Sequence, residues 1–356
     1  MKRLLIVAAM LWVTISLTAQ RLEWSVDFNT VFDNREGDDK MTSTRTFFQT
    51  QLSPEVGVSF LEDSHRLMGG VVWTQPIGNE WYGKRVSPTL YYQYRGNNGL
   101  KIALGMFPRT MMHRELPNYV WSDSINYNQR NIRGAMVSYE SNNGFFEAIV
   151  DWRAMQSSRQ REAFNVIAHG EWQRHGGVFV AGGVVMMNHF ALSRHPSPDQ
   201  HVVDNFIVNP YIGVDVSRHT VLDSLTIRVG ALGSLTRNRG YDHWEHPVGG
   251  WLEVALQWRW IGWHNTTYVG QRLFPYYSDF GSLLDQGEPY YRGKWYNRTS
   301  VYGTIINNQF VNLRASLDFN LAENNFTHYQ RLILRVYIDS AFKQRSKNSK
   351  LKQAFN

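Results

Sequence analysis

Apolar and polar residues alternate with a period of two along most of the chain. Between Leu22 and Phe28 every second residue is apolar and the residues between them are polar, and the stretches 252–258 and 311–319 repeat this pattern. Such spacing places apolar side chains on one face of an extended strand and polar side chains on the other. Outside the N-terminus the chain shows no convincing helical period. The pattern therefore predicts an all-β protein built from two-faced strands.

About sixteen segments of this kind follow one another. They lie near residues 22–32, 45–60, 66–75, 86–95, 99–107, 132–140, 145–153, 163–173, 178–188, 205–216, 225–236, 249–260, 264–271, 295–306, 310–321 and 327–338. Connections after even-numbered segments are mostly tight, as at Gly96–Asn98, Ser141–Gly144 and Ile261–Trp263, whereas those after odd-numbered segments are mostly long and polar. Strands that alternate in direction would place the tight connections at one edge of a sheet and the long ones at the other.

This combination predicts a transmembrane antiparallel up-and-down β-barrel of about 16 strands, with 14 to 18 left open, because such barrels have short periplasmic turns, longer external loops and an apolar outer face. The composition agrees with this fold. The chain has 13 Trp, 18 Tyr and 19 Phe but a mean hydropathy of −0.40, as expected when each strand shows lipid one face and water the other. A soluble β-sandwich, propeller or lectin-like fold is the alternative, since its strands also alternate.

The N-terminus has the pattern of a secretory signal peptide. Lys2 and Arg3 precede the apolar run Leu4–Leu17, which ends in Thr18-Ala19-Gln20, and cleavage is expected after Ala19. A permanent anchor helix is the alternative, but the run is short against the roughly 20 residues that span a bilayer. The sequence therefore predicts a signal peptide at 1–19, an outer-membrane barrel at 20–340 and a basic periplasmic tail at 341–356.

The net charge belongs to the two ends of the chain. The formal charge is +7, from 37 Lys and Arg against 30 Asp and Glu. Seven of the basic residues flank the predicted barrel, namely Lys2, Arg3, Lys343, Arg345, Lys347, Lys350 and Lys352. The body is therefore neutral, has no sequence-wide basic surface, and is not expected to bind nucleic acid. The absence of cysteine excludes disulfides, thiolate catalysis and cysteine-ligated zinc.

Over residues 20 to 340 the chain resembles the Gram-negative outer-membrane porin-like β-barrels of the sixteen-strand class. The resemblance rests on the signal segment ending in Ala19-Gln20, the alternating segments and the long connection 108–131, PRTMMHRELPNYVWSDSINYNQRN. In such porins the third external loop, between strands five and six, folds into the lumen and narrows it, and 108–131 lies between the fifth and sixth predicted segments. The resemblance implies passive diffusion of small hydrophilic solutes, with this connection as the constriction.

The same resemblance implies the partners of the protein. These are outer-membrane lipid and small hydrophilic solutes, with a homo-oligomer as an open expectation. It implies a channel and not an enzyme, and no cofactor or metal is expected.

In a barrel the polar parity would line a wet lumen, where charged side chains set ion preference. The candidate pore-lining and constriction residues are Arg109, Arg114, Glu115, Asp123, Glu147, Asp151, Arg228, Arg259, Arg314, Arg331 and Arg335. The arginines gather mainly in the C-terminal third, while several acids lie in or near the connection 108–131. By resemblance to general porins, arginines facing loop acids would produce a transverse field across the constriction.

Two other functions stay open. A closed barrel could act as an adhesion or assembly scaffold through its external loops. The aromatic connection 273–294 is expected to pack over the barrel mouth, and a carbohydrate-stacking or cell-surface contact patch is the alternative. An outer-membrane enzyme acting on lipid or glycan is the third reading. The sequence contains neither a Gly-x-Ser-x-Gly nor a His-Glu-x-x-His motif, and the paired His243 and His246 do not match a zinc motif.

Overall fold

The computed structural model of the protein describes residues 20–38, 40–78, 85–241, 243–342 and 349–352. Sixteen strands form one closed sheet. In chain order they are β1 Arg21–Gly37, β2 Arg45–Phe60, β3 His65–Pro76, β4 Val86–Arg95, β5 Leu100–Pro108, β6 Asn131–Ser141, β7 Gly144–Ala154, β8 Ala163–Gln173, β9 Phe179–Phe190, β10 Val203–Asp215, β11 Ser224–Asn238, β12 Val248–Trp258, β13 Ile261–Gly270, β14 Trp295–Asn307, β15 Val311–Ala322 and β16 Asn325–Asp339. The predicted signal peptide, 1–19, lies outside the described residues, as do 343–348 and 353–356 of the tail.

Each strand pairs antiparallel with its neighbours in the chain, and β1 closes the sheet against β16. The closing register runs from Ser25 opposite Asp339 to Gly37 opposite Thr327. Closure pairs every described strand on both sides, which satisfies its backbone groups without an open edge. The prediction of an all-β up-and-down barrel with sixteen strands is therefore confirmed.

The alternation seen in the sequence becomes an inside and an outside. In β1 the side chains of Glu23, Asp27 and Asp33 are buried in the lumen, whereas Leu22 is 66% exposed on the outer surface. Many large apolar side chains are exposed on the outer face, which is the arrangement that a strand needs when lipid covers one of its faces. Among the described residues, no helix has the length and apolar character to cross a membrane.

Tight turns and chain ends share one edge of the barrel, which corresponds to the periplasmic edge of this kind of fold. One predicted turn was wrong. Residues 261–263 begin β13, and the turn is formed by Arg259 and Trp260, with Arg259 in the left-handed region at φ 56°. The chain turns two residues earlier than the hydrophobic pattern suggested. The reason is that Ile261 and Trp263 already belong to the outward-facing positions of β13.

Short helices occur inside the longer connections. The α-helices are α1, Asp123–Asn128, and α2, Tyr277–Phe280, and there are 3-10 turns at Arg109–Met111, Ser217–His219, Gly281–Leu283 and Pro289–Arg292. The side chain of Ser122 caps α1 by accepting a hydrogen bond from the Ile125 N–H at 3.4 Å. These helices were not visible as periodic patterns, because each is only one or two turns long.

The register makes a testable prediction about the outer face. Leu317 is 49% exposed on the outside of β15. An arginine there would face hydrocarbon, so Leu317→Arg is expected to lower the free energy of unfolding in lipid by about 2–4 kcal/mol. Denaturant unfolding of the protein in vesicles measures this loss. Ser316→Arg, on the neighbouring inward position, is the matched control, and an equal loss for both variants would contradict the register.

A two-loop plug inside the barrel

The β5–β6 loop, residues 109–130, folds into the lumen as predicted. Tyr119 and Val120 are fully buried there. The Tyr119 hydroxyl donates a hydrogen bond to Asn209 Oδ1 on β10 at 2.8 Å, while Gln49 and Gln51 of β2 donate to the Tyr127 carbonyl at 2.9 and 2.8 Å. Because β2 and β10 lie on opposite walls, this loop crosses the whole lumen.

The β13–β14 loop, residues 271–294, also enters the barrel, although the sequence predicted that it would pack over the mouth. Leu273, Leu284 and Tyr291 are fully buried. Asn205 of β10 donates to Asp285 Oδ1 at 2.7 Å and Asn165 of β8 donates to Gln286 Oε1 at 2.9 Å. The amide side chains that line the wall therefore hold a second loop within the lumen.

The two loops bind each other as well as the wall. The Glu288 N–H donates to the Asn118 carbonyl at 2.7 Å, and the Tyr291 hydroxyl donates to Asn118 Oδ1 at 2.7 Å. The rings of Tyr119 and Tyr291 meet edge to face with centroids 6.1 Å apart, a favourable aromatic geometry. We call the combined loops 109–130 and 271–294 the plug. It crosses the lumen from one wall to the other.

Asp123 anchors the plug to the C-terminal wall. Its carboxylate accepts hydrogen bonds from Arg298 at 2.8 Å and from Arg331 at 3.3 Å, and Asp318 contacts the same two arginines. Burial by itself raises the pKa of Asp123, but the two guanidinium groups outweigh it and hold the pKa at about 2. The loop acid and the wall arginines thus touch each other, whereas the sequence predicted that they would face each other across an open constriction.

On the opposite side, the predicted charges also contact partners across the boundary between loop and wall. Arg109 is 3.4 Å from Asp151 and stacks 3.6 Å over the Trp121 ring. Arg114 makes two 3.0 Å hydrogen bonds to Glu171 of β8, and Glu147 accepts from the His113 N–H at 3.0 Å. The loop charges therefore fix the plug to β7 and β8.

Of the remaining predicted residues, three lie on the wall, Glu115 lies in the plug, and Arg259 lies in a turn. Arg228 binds Glu171 and Glu253, and Arg335 binds Asp27 at 2.8 Å. Arg314 lies 4.2 Å over the Tyr302 ring, and Glu115 lines the same cavity as Arg314. Arg259 was wrongly placed on the lumen wall, because it occupies the exposed periplasmic turn after β12 and its N–H contacts Asp223.

Two cavities lie on the periplasmic side of the plug, with volumes of about 480 and about 400 Å³. The first is lined by Asp27, Arg130 and Arg335, and the tail residues Leu351 and Lys352 enter it. The Lys352 ammonium donates to the carbonyls of Met112 and His113 at 3.0 and 3.1 Å. The described part of the tail therefore contacts the plug on its periplasmic side.

Sequence reasoning missed several residues of the plug and of the wall around it. The most important are Arg35, Arg130, Arg298, Asp285 and Glu288, all buried. Arg298 could have been found from its inward parity in β14. Asp285 and Glu288 offered no such signal, since no strand period extends through the loop that carries them.

Apart from the plug, a group of polar side chains faces outward at the extracellular end of the barrel. Glu36 of β1 and His328 of β16 are opposite each other in the register, with Oε2 and Nε2 3.5 Å apart. Asn34 donates to Glu36 Oε1 at 2.7 Å and accepts from the Thr46 hydroxyl at 2.8 Å. We call Asn34, Glu36, Thr46 and His328 the rim network. It lies just above apolar side chains of the same outer face, such as Phe32.

A closed sixteen-stranded barrel with an apolar exterior and an inward loop between strands five and six defines the class of Gram-negative outer-membrane porin-like proteins. Within it, the chain belongs to the lipid A 3'-O-deacylase-type family, whose model matches residues 15–345. No curated protein matches the sequence.

Solved structures are similar to this chain at low sequence identity. Pseudomonas aeruginosa OccD3 (OpdP) is 10% identical, with 90% of this chain and 91% of that chain covered and a TM-score of 0.50. P. aeruginosa OccK1 (OpdK) is also 10% identical, with coverages of 89% and 98% and a TM-score of 0.48. At 10% identity the match to OccD3 (OpdP) shows a similar fold and carries no conclusion about substrates.

Proposed function

We propose that the protein is an outer-membrane channel for small hydrophilic solutes that the plug holds closed. The observation that supports this most directly is the polar attachment of the plug across a wide lumen. An eight-stranded barrel fills itself with side chains, whereas sixteen strands enclose an aqueous channel. Here that space is occupied by two loops that hydrogen bonds and ion pairs hold in place. Water can form hydrogen bonds to the same groups when the loops move.

Displacement of the plug would also set the ion preference. When Asp123 leaves the wall, Arg298 and Arg331 share Asp318, one acid for two bases. The open state should therefore carry excess positive charge on this wall and favour anions. A reversal potential in a salt gradient would measure this preference.

Asp285 gives the plug a weak attachment. It is fully buried, and its Oδ2 accepts no hydrogen bond from the residues that the structure describes. Burial raises its pKa to about 7, against smaller opposing effects of the Asn205 hydrogen bond and of Arg153. Near neutral pH the acid thus changes between a tolerated neutral form and a poorly compensated buried charge.

This attachment predicts a pH-dependent gate. In the docked plug the pKa of Asp285 is above its ordinary value of 3.8. The contribution of Asp285 to docking is therefore fully present below about pH 4 and is lost as the pH rises through 7, by up to roughly 4 kcal/mol. Asp123 stays ionised over this range. Single-channel recordings in planar bilayers should therefore show more frequent openings at pH 8 than at pH 5.

Asp285→Asn is the discriminating variant because it keeps the shape without the charge. It should stay closed at both pH values, whereas Asp279→Asn, in the same loop, should keep the wild-type pH response. Silence of correctly folded wild-type protein at every pH tested would contradict the channel.

The rim network supports a second candidate function, hydrolysis of an acyl ester in an outer-leaflet glycolipid. The family description names lipid A deacylation, and the rim network faces outward just above apolar side chains such as Phe32. We infer that this is near the level of lipid ester bonds, which lie between head groups and acyl chains. His328 could take a proton from water while Glu36 orients its ring, hydroxide would attack the ester carbonyl, and the alkoxide would leave with the proton from His328.

Release of fatty acid from lipid A vesicles tests this candidate. His328→Ala should lower the rate by about 10²–10⁴-fold, the usual contribution of a general base. His189→Ala is the control, because His189 also faces outward at the extracellular end, beside Asp204 at 3.7 Å, but on another part of the circumference. Equal activity in wild type and both variants would remove the rim network as a site.

A further inference from the structure

Four polar side chains form an island in the apolar outer face of the barrel. They are Asn265 and Thr267 on β13 and Asn297 and Thr299 on β14. In the register Asn265 is opposite Thr299 and Thr267 is opposite Asn297, so the four make one compact square. All four are half-buried on the outward parity of their strands. We call them the polar square.

The polar square lies within the lipid-facing surface and not at its border. Across the neighbouring strands, Thr267 is opposite Leu252 and Asn297 is opposite Leu321. Along β14 it continues into Val301, which is 42% exposed. Apolar side chains thus flank the polar square. In a membrane, lipid hydrocarbon would cover the square unless another protein did.

Hydrogen bonds within the square satisfy most of its polar atoms. Asn265 Nδ2 donates to Thr299 Oγ1 at 2.8 Å, and Thr299 Oγ1 donates to Asn297 Oδ1 at 3.1 Å. Asn297 Nδ2 donates to Thr267 Oγ1 at 2.7 Å, and Thr267 Oγ1 donates to Asn265 Oδ1 at 3.0 Å. The ring closes on itself, which explains how the group is tolerated beside lipid.

The ring leaves a complementary pair of hydrogen-bonding groups that it does not use. Asn265 uses one of its two amide N–H groups in the ring, and Asn297 Oδ1 accepts one hydrogen bond although an amide oxygen can accept two. The spare donor and the spare acceptor lie on adjacent strands. A second square related by a two-fold axis would match donor to acceptor twice.

We propose that the polar square is the contact through which a second copy of this chain docks within the membrane. Polar side chains inside a membrane are costly against lipid and form contacts between neighbouring protein surfaces. An isologous two-fold contact is the commonest symmetric arrangement of identical chains and requires a self-complementary surface. The spare donor and acceptor of the square meet this requirement. The inference does not depend on whether the barrel conducts.

Cysteine cross-linking in outer membranes tests the contact, and the cysteine-free chain makes the experiment clean. Val301→Cys places one thiol beside the square without altering it. Val137→Cys is the matched control, since Val137 is equally exposed at 42% but lies on β6, across the barrel. With a short bismaleimide, Val301→Cys should give a band of twice the protomer mass and Val137→Cys should give none.

Variants of the square make the result specific. In the Val301→Cys background, adding Asn265→Leu and Asn297→Leu should lower the cross-linked fraction about tenfold, roughly the factor that two interfacial hydrogen bonds carry in a membrane. Thr267→Ser keeps the ring hydroxyl and should retain the cross-link. The shift in gel mobility on heating shows that each variant folds.

Three outcomes would overturn the inference. These are equal cross-linking at Val301 and Val137, retention of the cross-link after both asparagines are replaced in a folded barrel, and a product whose mass identifies a different protein.

Discussion

Deletion of residues 114–127 together with 275–290 is expected to convert the closed barrel into an open pore. The two segments carry the hydrogen bond from the Glu288 N–H to the Asn118 carbonyl and the Asp123 anchor, and both lie inside a wall whose strands are fully paired without them. A sixteen-stranded wall emptied in this way encloses an aqueous channel. Planar-bilayer recordings should change from the closed-state baseline to discrete conductance steps.

Deletion of either segment alone should give smaller or less frequent steps, because the other loop still crosses part of the lumen. Shortening the exposed stretch 195–199 of the β9–β10 loop is the control, since it lies outside the lumen and should leave the baseline unchanged. If the double deletion folds but conducts no better than the wild type, the lumen is blocked by something other than the plug.

Asp123→Ala is expected to release the plug from the C-terminal wall. The variant leaves Arg298 and Arg331 buried with Asp318 as their shared acid, whereas the wild type has two acids for two bases. Removing one partner of a buried ion pair costs about 3–5 kcal/mol, because the remaining charge is left without compensation. Proteolysis of loop 109–130 should become faster by a factor that reflects this loss, and channel openings should become more frequent.

Asp199→Ala removes a fully exposed acid from another long loop and should change neither measurement. Adding Arg331→Ala to Asp123→Ala should restore part of the stability, because it removes the uncompensated charge. A double variant as loosely closed as the single one would show that the anchor acts through shape and not through charge.

The strands could be predicted closely because their signal is local. The segment 163–173 matches β8 at both ends, and 86–95 matches β4. The inward course of the third long loop was also expected, but only through the resemblance to porins. Arg259 shows where the alternation fails as a guide. At the end of a strand the alternation of polar and apolar residues continues into the turn, but there the side chains no longer point to alternate faces.

The partners of the lumen residues were not predictable in the same way. Asn205 and Asp285 are separated by 80 residues and Asp123 and Arg298 by 175. No period links such positions. Their pairing depends on how the closed sheet brings distant strands around one lumen.

The sequence by itself determined the strand pattern, the sixteen-strand barrel, its apolar exterior and the charges of its interior, since a period of two acts residue by residue. Only the tertiary structure decided that two loops, not one, fill the lumen, that the predicted arginines and acids neutralise each other, and that four polar side chains face lipid as a hydrogen-bonded square. Each of these depends on contacts between segments far apart in the chain, and closure of the barrel is the physical step that brings them together.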